Sequence, residues 1–192
     1  MKIVDAHTHL WKKQDGYNDK GRVFALTNGR SNFGGETRQM MPPYMLTGEN
    51  NAEMLISNMD YACVSGAVIT QEVMDGNQND YLLSVKSKYP DRIRICSLYE
   101  EGKDTDTDGF DGIKLCSCKF RDQDLSHHFD IFRTANEKGL FISIDMADGE
   151  QQNHCQQGRE NADRSFHRLR LLTQMFDLAY SSSVSVNPKE SN

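Results

Sequence analysis

Residues 1–147 alternate short apolar runs with helical stretches, and this rhythm constrains the fold more than any other feature of the chain, because it is the pattern of βαβ units building a parallel sheet. Residues 1–10 read as the first strand, with Ile3, Asp5, His7 and His9 on one face at period two and Val4, Ala6 and Thr8 on the other. Further strands are predicted over 64–70, 92–99, 112–118 and 140–147. Helices are predicted over 50–61, 79–89 and 129–138; Pro90 closes the second and Gly139 the third. Residues 11–48 show no clear period and are rich in Gly, Asn, Arg and Lys, so they read as a working loop or lid. The link 100–111 is acidic and short for a helical crossover, hence minimal or irregular. Past Ala147 the pattern stops: 148–164 is almost wholly polar, 166–178 is amphipathic, and 181–192 has the composition of disorder. Five strands are legible, and no sixth.

With 192 residues the chain is one domain by size. A closed (β/α)₈ barrel typically takes ~250 residues and rarely fewer than ~200. The expectation is therefore an α/β chain of barrel type, incomplete at about five βα units. Residues 1–149 form the partial barrel and 150–192 an irregular or disordered tail. The abrupt break suggests that the tail, from about His154 to Phe166 onward, is a frame-shifted reading of a longer gene, a divergent natural terminus being the alternative. A net charge of -6 without a Lys/Arg block argues against nucleic acid and anionic membrane as partners. No apolar run approaches the ~20 residues of a membrane span, and residues 1–11 lack a cleavable apolar core, so a soluble cytoplasmic protein is expected. The five cysteines, Cys63, Cys96, Cys116, Cys118 and Cys155, are odd in number and form no CxxC; they read as buried free thiols rather than a disulfide framework or zinc knuckle.

The sharpest local signal is Asp5-Ala6-His7-Thr8-His9. Side chains two apart on a strand share a face, so His7 and His9 could aim two imidazole nitrogens at one ion near the strand's carboxyl end, with Asp5 orienting a ligand histidine from behind. The competing reading is a pair of polar residues beginning an exposed loop. In GIKLCSC, Lys114, Cys116 and Cys118 share the face opposite Ile113, Leu115 and Ser117. Lys114 either points along the sheet interior to an anion or snorkels to solvent, and the two cysteines could ligate a soft metal but, without a second cysteine pair or an adjacent histidine, read as core packing. Gln71 and Glu72, just past the second strand, stand where a ligand at a barrel mouth would be touched. Arg22, Arg30 and Arg38 could form a carboxylate-binding lid or remain solvated loop charge. Asn79 reads chiefly as a helix cap. His127, His128, His154 and His167 lack ligand spacing and read as surface or capping residues.

The opening KIVDAHTHLW, the stretch GAVITQEVMDGNQNDYLLSVKSKYPDRIRICSLYE and the following FDGIKL resemble the amidohydrolase superfamily, in its amidohydrolase-related branch of lactone hydrolases and nonoxidative decarboxylases. The resemblance covers roughly residues 1–149. It implies a distorted (β/α)₈ barrel with a divalent metal at its mouth, held by the first-strand HxH, usually a histidine from the fifth strand, and an aspartate after the eighth. His7 and His9 carry over as metal ligands. FISIDMA, at the fifth strand, has no histidine; Asp145 stands near that place, as ligand, substrate-binding acid or helix cap. The sixth to eighth strands and the final aspartate are absent. Lys114 could bind a substrate carboxylate or, as a carbamate, bridge two metals as in other branches. The resemblance thus implies a metal-dependent hydrolase, zinc foremost, acting on a lactone, ester or amide-like bond of a small carboxylated molecule. Asp145 and Lys114 would be catalytic, and Gln71, Glu72, Arg30 and Arg38 substrate-binding. The alternatives are a nonoxidative decarboxylase on the same scaffold and an inactive remnant without metal. Exposed strand edges would permit oligomerisation.

Overall fold

The computed structural model describes residues 2–121 and 125–145. In chain order the elements are β1 (Val4–His9), β2 (Asp15–Asn18), β3 (Gly21–Ala25), β4 (Arg30–Phe33), β5 (Glu36–Gln39), α1 (Ala52–Tyr61), β6 (Gly66–Thr70), α2 (Asn79–Lys88), β7 (Ile93–Leu98), β8 (Gly112–Cys116), α3 (Phe129–Lys138) and β9 (Phe141–Asp145). Short 3-10 turns lie at Val73–Asp75, Ser117–Lys119 and Leu125–His128. The main sheet is parallel, with order β1-β6-β7-β8-β9. Each strand is laid beside the one before it, so the order never reverses as it does in a doubly wound sheet. That sequential winding is the topology of a (β/α) barrel, here as a five-strand arc.

Period-two alternation divides the two faces of the arc. Ala67, Ile69, Ile93 and Ile95 pack with Met59 of α1 and with Leu82 and Val85 of α2 in one buried cluster. Ile113, Leu115 and Ile142 pack with Ile131 and Ala135 of α3 in a second. The opposite face carries Lys114 and Cys116 on β8 and Ser143 and Asp145 on β9. Low on that face Gly112 stands in register with Phe141. A Cβ at 112 would lie 2.4 Å from the Phe141 ring, so only glycine lets the ring cover the strand there.

The expected strands and helices are all present, most with ends trimmed by one to three residues, and α3 has its predicted bounds; the expected end of the last strand, 146–147, lies outside the described residues. Cys118, expected in a strand, falls in the 3-10 turn that follows β8. The link between β7 and β8 carries no helix and is irregular. The reading of residues 11–48 as a loop or lid is overturned: they form a four-stranded antiparallel sheet, β2-β3-β4-β5, inserted between β1 and α1. Its strands are only four or five residues long, too short to display a period, yet their turns were written in the sequence. Gly34-Gly35, with φ of +61° and +100°, joins the paired residues Phe33 and Glu36, and Asn28-Gly29, also both at positive φ, lies between β3 and β4. Positive φ at both central positions is what tight hairpins require. At the neck of the insert Trp11 and Asn50 exchange backbone hydrogen bonds of 2.9 and 3.1 Å, and the Trp11 indole donates to the Gly48 carbonyl at 2.9 Å.

Three other readings need correction. Asn79 does not cap α2, since Gln78 is the N-cap; its side-chain oxygen instead accepts hydrogen bonds from Gln71 Nε2 and the Leu98 amide. Cys96 and Cys116 are buried free thiols, but Cys63 is exposed. His128, read as a surface or capping residue, stands at the N-cap position of α3 without a side-chain capping bond and is buried, with its Nδ1 2.9 Å from the Tyr99 hydroxyl. Among the described residues no helix is long and apolar enough to cross a membrane. The expectations for the tail, including His154, His167, Cys155 and the frame shift, fall outside the described residues.

Candidate metal centre

Parallel strands bring their carboxyl ends to one edge of the sheet, and there β1, β6, β8 and β9 each deliver a side chain. His7 and His9 close β1, with His9 beside Thr70 in the register. A register shift between Asp5 and Thr8 re-aims this stretch, and the Asn50 amide anchors the His9 carbonyl at 2.6 Å. Asp5 does not orient a ring as expected: its carboxylate accepts from the backbone amide of His7 at 3.1 Å. The chain then leaves β6 through Gln71, whose buried amide donates to the Cys96 carbonyl at 2.8 Å and to Asn79 Oδ1 at 2.7 Å, and whose oxygen accepts from the Gln78 amide at 2.7 Å. Gln71, expected to touch substrate, thus has its amide engaged within the fold. Its grip fixes where the next residue, Glu72, projects.

The two imidazoles meet edge to face, with His7 Nε2 3.1 Å from His9 Nε2. A Glu72 carboxylate oxygen joins them, the three donor atoms lying within 4.8 Å of one another. Glu72 Oε1 is 2.9 Å from Lys114 Nζ, and Lys114 is 1% exposed, so the interior reading of this lysine holds and snorkelling does not. Cys116, read as core packing, is indeed buried, yet its thiol donates to Glu72 Oε2 at 3.4 Å. Asp145 stands opposite Cys116 in the register, and its backbone carbonyl accepts from Ser117 Oγ at 2.6 Å. Glu72, Cys116 and Asp145 form a second group whose donor atoms lie within 4.8 Å. Glu72 is common to both.

Burial pushes both histidines below the ordinary imidazole value; Lys114 adds to the shift at His7, and His7 adds to it at His9. The Thr70 backbone opposes the shift at His9 without reversing it, and His9 Nδ1 is buried with no partner at normal hydrogen-bond geometry. Both rings are accordingly neutral at pH 7, the state in which imidazole donates a lone pair to a metal. Two nitrogens each 2.0–2.1 Å from a tetrahedral zinc stand about 3.3 Å apart. The observed 3.1 Å, also the length of a hydrogen bond between the two rings, is compatible with a divalent cation between His7 and His9, with a Glu72 oxygen within 4.8 Å. Burial also pushes the Cys116 thiol up to about 12, keeping it protonated while no cation adjoins it.

Sequence reasoning named His7, His9, Glu72, Lys114 and Asp145, which the structure brings to one edge, although it cast Glu72 as a substrate contact rather than a third ligand. It weighed Cys116 as a soft-metal ligand but assigned it to core packing, its signal at this edge being that it shares a strand face with Lys114. Arg30 and Arg38 are not brought into the cluster. Arg38 is paired with Glu36 at 2.7 Å on β5, and Arg30 lies on β4 beside a small cavity shared with Trp11 and Met45. Arg22, likewise, is bound to Asp15 at 2.6 Å.

Comparison with solved structures places this arrangement in a known architecture. A probable 2-pyrone-4,6-dicarboxylic acid hydrolase from Acinetobacter baumannii, solved with citric acid bound, matches with a TM-score of 0.50 and 17% identity over 75% of this chain and 49% of that one. The likeness is one of fold. An Agrobacterium tumefaciens protein solved in its apo form matches at a TM-score of 0.49 and 13% identity, over 79% of this chain and 50% of that one. The chain spans about half the length of both. No protein-family model matches the chain, nor does any curated protein sequence.

Proposed function

We propose that this chain carries the metal-binding part of a hydrolase of the amidohydrolase type, acting on a lactone, ester or amide-like bond of a small carboxylated molecule with the help of one divalent cation, zinc foremost. The observation that carries the reading is the convergence of one imidazole nitrogen each of His7 and His9 and a Glu72 oxygen within 4.8 Å at the carboxyl edge of a sequentially wound parallel sheet. When bound, such a cation polarises a carbonyl or lowers the pKa of water. The remaining work falls to the chain itself. His7 and His9 present neutral nitrogens from a single strand, so their spacing is set by the backbone. Lys114 holds the Glu72 carboxylate at Oε1 and keeps it from turning away. Asp145 offers a carboxylate at the same edge, suited to take a proton from attacking water at one of its oxygens.

The fold likeness makes a cyclic ester bearing carboxylates the first compound to assay. In the deciding experiment the protein is stripped of metal and titrated with zinc by calorimetry, with metal content read by atomic emission and hydrolysis of 2-pyrone-4,6-dicarboxylate followed in parallel. One equivalent should bind, and His7→Ala or His9→Ala should weaken binding by at least ~100-fold, beyond what loss of an outer-shell partner causes. Unchanged metal content in both variants, or none in the parent, would sink the reading.

A further inference from the structure

Glu72 belongs to two donor groups at once, one with the imidazoles and one with Cys116 and Asp145. Its oxygens are already divided between neighbours, Oε1 facing Lys114 Nζ at 2.9 Å and Oε2 accepting from the Cys116 thiol at 3.4 Å. Lys114, at 1% exposure, cannot withdraw to solvent, and parting it from Glu72 would strand an unpaired ammonium in the interior. We infer that Lys114 is a built-in cation that keeps the Glu72–Cys116–Asp145 group free of metal, so that the edge takes one divalent ion at its imidazole side and none at its thiol side. This deepens the metal reading above and rests on it.

The argument is one of charge and donor type. A cation entering the thiol side would face the Lys114 ammonium across a desolvated space, where like charges repel strongly. The pair distance of 2.9 Å is that of an ammonium on a carboxylate; a carbamate, itself an anion, would face Glu72 with like charge. Without the ammonium, two carboxylates and a thiolate remain, a set soft enough for zinc, cobalt or cadmium. Lys114 would thus set how many ions the site holds, a role distinct from touching a substrate.

The test uses the full chain, metal-free and kept reduced, titrated with Co²⁺, reading both the equivalents bound and the thiolate-to-cobalt charge-transfer absorption. The wild type should bind one equivalent with no thiolate band. Lys114→Met, which keeps the volume and removes the charge, should bind two and show the band, and Lys114→Met with Cys116→Ser should lose it. In the wild-type background Cys116→Ser should leave the stoichiometry at one equivalent, and Lys114→Gln, a second neutral variant, should bind two and show the band where Lys114→Met does not fold. Two equivalents or a thiolate band in the wild type, loss of the ion from Cys116→Ser, or a folded Lys114→Met still binding one would overturn the inference and leave the metal reading standing. Failure of the wild type to bind any ion removes the metal reading, and this inference with it.

Discussion

Asp75 gives the fold a pH dependence opposite to that of most carboxylates. It sits in the turn after Glu72, 5% exposed, and accepts a hydrogen bond of 2.7 Å from Gln14 Nε2, while Gln14 Oε1 accepts from Ser31 Oγ at 2.8 Å. This buried polar chain ties the turn to β4 of the insert. Burial pushes the Asp75 carboxyl from 3.8 up to about 6; the Gln14 bond pulls the other way, and Glu72 adds to the rise. The folded protein therefore holds this proton more tightly than the unfolded chain. The stability tied to it is complete below about pH 4, falls as pH rises, and is lost above about pH 6. A tenfold difference in proton affinity between the folded and unfolded chain is worth about 1.4 kcal/mol, so the full swing is about 3 kcal/mol. Asp75→Asn keeps an acceptor for Gln14 and removes the titration. Urea unfolding of both proteins from pH 4 to pH 8 should show Asp75→Asn gaining about 3 kcal/mol on the wild type through this window, from a start lowered by the pH-independent ~1 kcal/mol cost of pairing its new amide imperfectly. Exposed carboxylates titrate alike in both proteins and cancel in the difference. Two curves running parallel from pH 4 to pH 7 would refute the reasoning.

Two further outcomes test the packing. Gly112→Ala pushes a methyl group into the Phe141 ring and should cost about 1–3 kcal/mol in thermal or urea unfolding, with part recovered when Phe141→Leu is added. Gly34→Ala combines a φ of +61° with a Cβ 2.6 Å from the Lys20 backbone, whereas Gly139→Ala meets nothing within 4 Å at a φ of +68°. The first should therefore destabilise clearly more than the second, which carries the conformational cost alone, about 1 kcal/mol; equal losses would show that the approach to Lys20 does not matter.

The main sheet was legible because β6 to β9 are apolar on the helix-facing side and bounded by turn or helix signals; Phe129–Lys138 ends where Gly139 takes up a left-handed conformation. The insert was hidden for a physical reason. Ser31 and Gln14 are buried polar residues and β5 is exposed throughout, so hydrophobic alternation, the usual strand signal, is missing there. Gly34-Gly35 was the signal to follow. At the site, His7 and His9 were visible since two residues on one strand share a face. Glu72 and Cys116 come together through the register of separate strands, and no local pattern encodes that register. The burial of Lys114 was similarly undecidable from a strand that would accept either orientation.

The neck of the insert bears on how the chain reaches this fold. Val4 pairs with Gly66, a closure spanning some sixty residues that adds β1 to the edge of the parallel sheet. The β2–β5 hairpins are local, and hairpins form on a microsecond scale, well ahead of long-range pairing. Once Trp11 and Asn50 bond, β1 and α1 are as near as if joined by a short turn, and the entropy of closing the long loop has already been met piecemeal. The insert would then act as a folding splice. Deleting residues 12–49 in favour of a short linker should leave refolding of the parallel sheet about as fast, while unravelling the hairpins with the linker length kept should slow it.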